Sequence, residues 1–124
     1  MHELKDLVTP LELCKLIPDG EFEESFFVLV RDSFNQYFAV RNDVCADYPG
    51  YIYPAPTLQE IMLEIDKAGG WCPTAYRLHD QWKVDYQIDN ENGLNDISEH
   101  ADTNNPATAA IKLWFKLKGI KYAE

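Results

Sequence analysis

The stretch Gln81-Trp-Lys-Val-Asp-Tyr-Gln-Ile88 decides the fold class. Trp82, Val84, Tyr86 and Ile88 take every second position, with Lys83, Asp85 and Gln87 between them. A period of two puts the apolar side chains on one face of an extended chain. One face then lies on a core and the other meets water, which is the pattern of a half-buried antiparallel strand. Asn92-Gly93 follows as a hairpin signal, so Leu94 to Glu99 is expected to return as a further, weaker strand.

Working towards the N-terminus, Thr74 to His79 reads as the preceding strand, led in by Trp71-Cys-Pro73 and ending in a tight turn beside Asp80. Before it, Thr57 and Glu60 form a capping box ahead of Leu58, Ile61, Met62 and Ile65 at helical spacing. This predicts a helix over 58–67, terminated by Gly69-Gly70. Phe26-Phe-Val-Leu-Val30 and Tyr37-Phe-Ala-Val-Arg41 predict a strand pair turned at Asp32 to Gln36. Thr9-Pro-Leu-Glu12 offers a capping hydroxyl, a proline at the first helical position and a glutamate that reaches back, predicting a short helix from Pro10 that Pro18-Asp-Gly20 ends. At the other end, Asn105-Pro106 repeats the cap-then-proline start. The stripe Ala107, Ala110, Ile111 and Trp114 predicts a last helix running to Leu117 and closed by Gly119.

The order α-β-β-α-β-β-(β)-α gives an α+β fold: an antiparallel or mixed sheet of four to five strands packed by three helices in a layered sandwich. The 124 residues suit one globular domain, 1–124. Hydrophobic residues make up 46% and aromatics 13%, enough to build a core despite a formal net charge of -10. That charge repels phosphate backbones and anionic lipid, so neither nucleic acid nor membrane is expected as a partner. There is no signal-like apolar run at Met1 to Val8 and no uncharged stretch near the roughly 20 residues of a membrane helix, which reads as cytoplasmic. Cys14, Cys45 and Cys72 are odd in number and lack a Cys-x-x-Cys pair; they are expected to be reduced, at least two of them as core filler.

The chemistry-bearing residues assemble into no recognised pattern. Asp89 to Asp102 carries five acidic side chains, but counting from Asp89 puts Gly93 fifth where a calcium loop needs its glycine sixth. His2, His79 and His100 have no ligand-spaced partner, and there is no nucleophile elbow, phosphate-cradling loop or dinucleotide fingerprint. The expectation is no catalytic residue, no metal and no cofactor. From 58 onwards the element order matches a double-stranded RNA-binding domain, yet the segment is acidic where that grip needs lysines.

The candidates for an interaction surface are Tyr48, Tyr51 and Tyr53, in the proline-rich Tyr48-Pro-Gly-Tyr-Ile-Tyr-Pro-Ala-Pro-Thr-Leu-Gln-Glu60, and Lys112 and Lys116 on the last helix. Pro54 and Pro56 stiffen the approach to the helix, and at least one of the three tyrosines is expected to pack into the core. The lysines of the last turns also suit the helix dipole.

Thr9-Pro-Leu-Glu-Leu-Cys-Lys-Leu-Ile17, the Phe26-Phe27 strand, Tyr53-Pro-Ala-Pro-Thr-Leu-Gln-Glu-Ile61 and Ala107-Thr-Ala-Ala-Ile-Lys-Leu-Trp-Phe-Lys-Leu-Lys118 together resemble a group of small proteins encoded by bacterial phages and prophages. That group carries no assigned reaction. The resemblance implies a phage or mobile-element context, and the function expected is that of a small non-enzymatic accessory or structural protein that acts through a protein surface. The alternatives are an acidic inhibitor mimicking nucleic acid against a host defence or DNA-processing enzyme, and an enzyme with a site built from scattered residues. Exposed apolar faces on edge strands or on the last helix would support a homodimer.

Overall fold

The computed structural model describes residues 7–43, 52–67, 71–79, 81–90, 93–101 and 105–122. The fold is α+β, with the order α1 (Leu11–Cys14), β1 (Phe27–Arg31), β2 (Tyr37–Arg41), β3 (Ile52–Pro54), α2 (Leu58–Lys67), β4 (Trp71–Leu78), β5 (Gln81–Asn90), β6 (Gly93–Ala101) and α3 (Pro106–Lys118). The strands form two antiparallel sheets, ordered β2-β1-β3 and β4-β5-β6. Six described strands in two sheets therefore replace the single sheet of four to five strands expected from the sequence. The added strand is β3: Ile52, Tyr53 and Pro54 pair with Val30, Leu29 and Val28. The stretch read as a stiff connector thus also supplies a sheet edge, where a proline without an N–H is tolerated.

The decisive stretch is the central strand of the second sheet. Trp82 and Val84 of β5 face a core, Val84 fully buried, and β6 pairs along the whole strand from Trp82↔Ala101 to Asn90↔Gly93. β4 begins at Trp71 rather than Thr74, with a register shift between those two residues. Pro73 falls within that interval of an edge strand, where its missing donor breaks the ladder least.

Helices α2 and α3 lie side by side on this sheet, α2 against β4 and α3 against β5 and β6. α2 spans the predicted 58–67, and its capping box is formed: Thr57 N–H donates to Glu60 Oε1 at 3.1 Å, and Glu60 N–H to Thr57 Oγ1 at 3.4 Å. α3 is buried on more than the predicted stripe, because Ala109, Leu113 and Phe115 are inaccessible as well as Ala107, Ala110, Ile111 and Trp114. A helix apolar nearly all round belongs inside. Gly119 ends it in the left-handed region at φ 75°, with Ile120 N–H returning to Phe115 O at 2.8 Å.

A second core lies on the first sheet, where Val8, Cys14, Leu29 and Ala55 are joined by Leu11, Phe27, Tyr37, Ala39 and Tyr53. The single turn α1 serves both cores, since Leu13 and Ile17 join the cluster around α3 while Cys14 joins the other. Its predicted cap does not form. Thr9 Oγ1 donates instead to the Pro56 carbonyl at 2.9 Å, beside Thr9 N–H to the same oxygen at 3.0 Å, and Val8 bridges Thr57. The hydroxyl has gone to a partner 47 positions away because both groups are buried, and a buried acceptor without a donor is costly.

Asn105 fastens the N-terminal segment to α3. It is buried, its Oδ1 accepts from Ala107 N–H at 3.0 Å as the predicted cap, and its Nδ2 donates to the Val8 carbonyl at 2.6 Å. Asn105→Ala is expected to lower unfolding free energy by about 1–3 kcal/mol, read as a drop in urea midpoint at unchanged slope. Asn105→Asp, which keeps the acceptor and loses the donor, should fall between the two.

Cys14 is a core residue, and its Sγ–H donates to the Thr9 carbonyl at 3.1 Å. Burial pushes its thiol up to about 12 from an ordinary 9.0. A raised pKa favours the protonated form in the fold, so this stabilisation is complete below pH 9 and is lost as pH rises towards 12. The stability difference between the wild type and Cys14→Ala should therefore narrow above pH 9 in denaturation curves.

Candidate interaction surface

The two faces of the β2-β1-β3 sheet differ. Cross-strand pairing puts Phe27, Leu29, Tyr37, Ala39 and Tyr53 on one face, which is the face that carries a core. The opposite face holds Val28, Val30, Phe38, Val40, Ile52 and Pro54, without one polar side chain. Its centre is covered and its edges are open to solvent. Val28 and Val30 are buried on the central strand, while the flanking Phe38 and Ile52 are 37% and 39% exposed. At the two ends of β1, Phe26 is 73% exposed and Phe34, in the turn to β2, 81%. That turn is held by Asp32 Oδ1, which accepts from Phe34 N–H at 2.8 Å and Gln36 N–H at 2.9 Å.

Along one end of the face runs a strap, residues 19–25. Phe22 is at φ 58° and places its ring 4.9 Å from that of Trp114, edge to face. A left-handed non-glycine residue is strained and persists where its surroundings fix it; here the ring contact with the core does so. Asn42 Nδ2 donates to the carbonyls of Glu23 at 3.1 Å and Ser25 at 3.0 Å, and Phe26 N–H donates to Glu60 Oε2 at 3.2 Å. Glu60 thus caps α2 with one oxygen and holds the start of β1 with the other.

Three grooves meet on this strap, and Glu23 lines all of them. One, of about 530 Å³, runs past Phe26, Phe27 and Arg41; the next, about 560 Å³, separates the strap from Leu63 and Glu64 of α2; the last, about 480 Å³, opens beside Val28, Ile52 and Pro54. Their walls carry seven carboxylates, Asp19, Glu21, Glu23, Glu24, Asp43, Glu60 and Glu64, against Lys15, Arg41 and Lys67. Each of those cations already has a carboxylate: Lys15 with Glu12 at 3.8 Å, Arg41 with Asp43 at 3.2 Å and Lys67 with Glu64 at 3.3 Å.

Of the residues singled out in the sequence, Tyr53 lies on β3, half-buried, its ring 5.8 Å from that of Tyr37. It packs against the core as expected of at least one of the three tyrosines. Tyr48 and Tyr51 lie outside the described residues, as does the Gly69-Gly70 stop of α2. Lys112 is half-buried and Lys116 exposed on α3, the helix of the other core, so the candidates do not converge on one group. The neighbouring Lys118 holds its Nζ 5.9 Å over the Trp114 ring. His79 is exposed at a turn with φ 58°, and the described residues of the acidic stretch tested for calcium, 89–90 and 93–101, are paired strand. Among the described residues no group of three or more His, Cys, Asp or Glu could hold a metal ion, and no helix is long and apolar enough to cross a membrane.

The strap itself escaped the sequence reading. Its signal was one phenylalanine, Phe22, set among Glu21, Glu23 and Glu24, an anchor that points inward between charges that point out. Compared with protein families, curated proteins and solved structures, the chain gives no match to any of the three.

Phe22→Ala should cost about 2 kcal/mol of stability, less than a fully buried phenylalanine because the ring is half-buried. It should also speed amide exchange at Ser25, whose N–H donates to the Phe22 carbonyl at 3.1 Å, ahead of exchange in α3.

Proposed function

We propose that this protein is a small, non-enzymatic accessory protein of phage or mobile-element origin, acting in the cytoplasm by docking a partner protein on the exposed apolar side chains that edge the Val28–Val30 face of the β2-β1-β3 sheet. The observation that carries this reading is the set of exposed apolar side chains around that face, Phe38 and Ile52 on the flanking strands and Phe26 and Phe34 at the two ends of β1. A contiguous apolar surface rimmed by polar residues is the usual mark of a protein contact. Aromatic side chains are also favoured at such contacts for their large area and few rotors.

A mimic of nucleic acid would need carboxylates in an unbroken row with phosphate-like spacing. Here the acids are interrupted by the Lys15–Glu12, Arg41–Asp43 and Lys67–Glu64 pairs and by exposed aromatic rings, which supports docking over mimicry. The resemblance of the helix starts and apolar stripes to phage-encoded proteins supports the context.

The test compares wild type with Phe38→Ser/Ile52→Ser as bait in a lysate, with circular dichroism confirming that both are folded. A partner is expected with the wild type and is expected to be lost with the double variant. Equal capture by both would remove this face from the function.

A further inference from the structure

We infer that the partner of this face is a protein segment in which lysine or arginine residues alternate with apolar ones, seated in the grooves that the 19–25 strap lines. The inference rests on the docking reading above and adds the chemistry of what docks. Its basis is the juxtaposition of two features along one strap. Asp19, Glu21, Glu23 and Glu24 have no cationic partner among the described residues, and the cations that line the same grooves are already paired. Beside these carboxylates, Phe26 is 73% and Leu63 55% exposed, on either side of the strap.

A purely apolar partner would leave four carboxylates desolvated at its rim, and a purely basic one would leave the phenylalanine and leucine in water. A segment carrying both satisfies both. Ser25 adds an independent sign. It lines two of the grooves, is 2% exposed, and its hydroxyl has no hydrogen-bond partner among the described residues, so a buried donor and acceptor stands beside the carboxylates. The strap needs little rearrangement to receive a ligand, because Phe22, Asn42 and Glu60 already fix its backbone at three points. Polyanions are excluded as occupants by the same carboxylates. A second copy of this chain would bring another strongly acidic surface against the first.

The probe is a fluorescein-labelled amphipathic peptide of leucine and lysine, titrated against the full chain by anisotropy. Its controls replace every lysine by glutamate, or every leucine by serine. Glu23→Gln/Glu24→Gln is compared with Gln59→Lys/Asp66→Asn, which changes the net charge equally at exposed positions outside the grooves. The Leu/Lys peptide is expected to bind the wild type best. The strap pair should weaken it about ten-fold, as two or three partly exposed ion pairs would; the distal pair should weaken it less than two-fold, and Phe26→Ser should also weaken it.

Equal weakening by both pairs would mean attraction to net charge alone and would overturn the inference. So would equal binding of the glutamate or the serine control. Amide shifts separate this failure from that of the docking reading. Perturbation at Phe38 and Ile52 that is insensitive to the strap pair keeps the sheet face and overturns the basic partner, and perturbation at neither place overturns both. A doubled mass in light scattering, abolished by Phe38→Ser, would assign the face to a second copy and overturn the inference as well.

Discussion

Asn105 is the constraint on which the rest of the structure depends. One carboxamide starts the helix around which the larger core is built and, through its other atom, holds the carbonyl of Val8, 97 positions earlier. The residues after Val8 then pair with the approach to α2 and supply the turn α1, whose neighbouring positions Leu13 and Cys14 enter different cores. Adjacent residues on a helical turn point about 100° apart, so one turn between two hydrophobic clusters can serve both. The two sheets are held in one molecule by this short N-terminal segment as much as by any direct contact.

The same economy bears on the exposed edges of the opposite face. A three-stranded sheet has two faces, and Val8, Leu11 and Cys14 of the N-terminal segment pack on the one that holds Leu29 and Tyr53. The other keeps exposed apolar side chains at its edges, Phe38 and Ile52, and the larger helices belong to the second sheet. The acidic strap is fixed at the end of that face for a related reason: Phe22 is drawn to Trp114, which turns the flanking Glu23 and Glu24 outward.

What was legible in the sequence was local. The alternation of Gln81 to Ile88, the Thr57–Glu60 box and the Asn105-Pro106 start each depend on residues within a few positions, and each formed. What was hidden depended on distant partners. Thr9 reads as a cap until Pro56 claims its hydroxyl, and Ile52 to Pro54 reads as a connector until β1 pairs with it. Dividing the strands into two sheets needs the same non-local knowledge. The candidate surface was less legible still. Tyr53 and the α3 lysines stood out by residue type, whereas the grooves are made by a strap whose meaning lies in where Phe22 points.

The long span between Val8 and Asn105 also sets an order of events during synthesis. When a ribosome has made the first sheet, the carbonyl that Asn105 will hold has no partner, and the helix that covers the β4-β5-β6 sheet has not emerged. Early sheet pairing can form, but the two cores cannot be locked together until Asn105 and the start of α3 leave the exit tunnel. The two cores are therefore joined only after α3 has been made, and until then the apolar strands it covers stay open to whatever surrounds them.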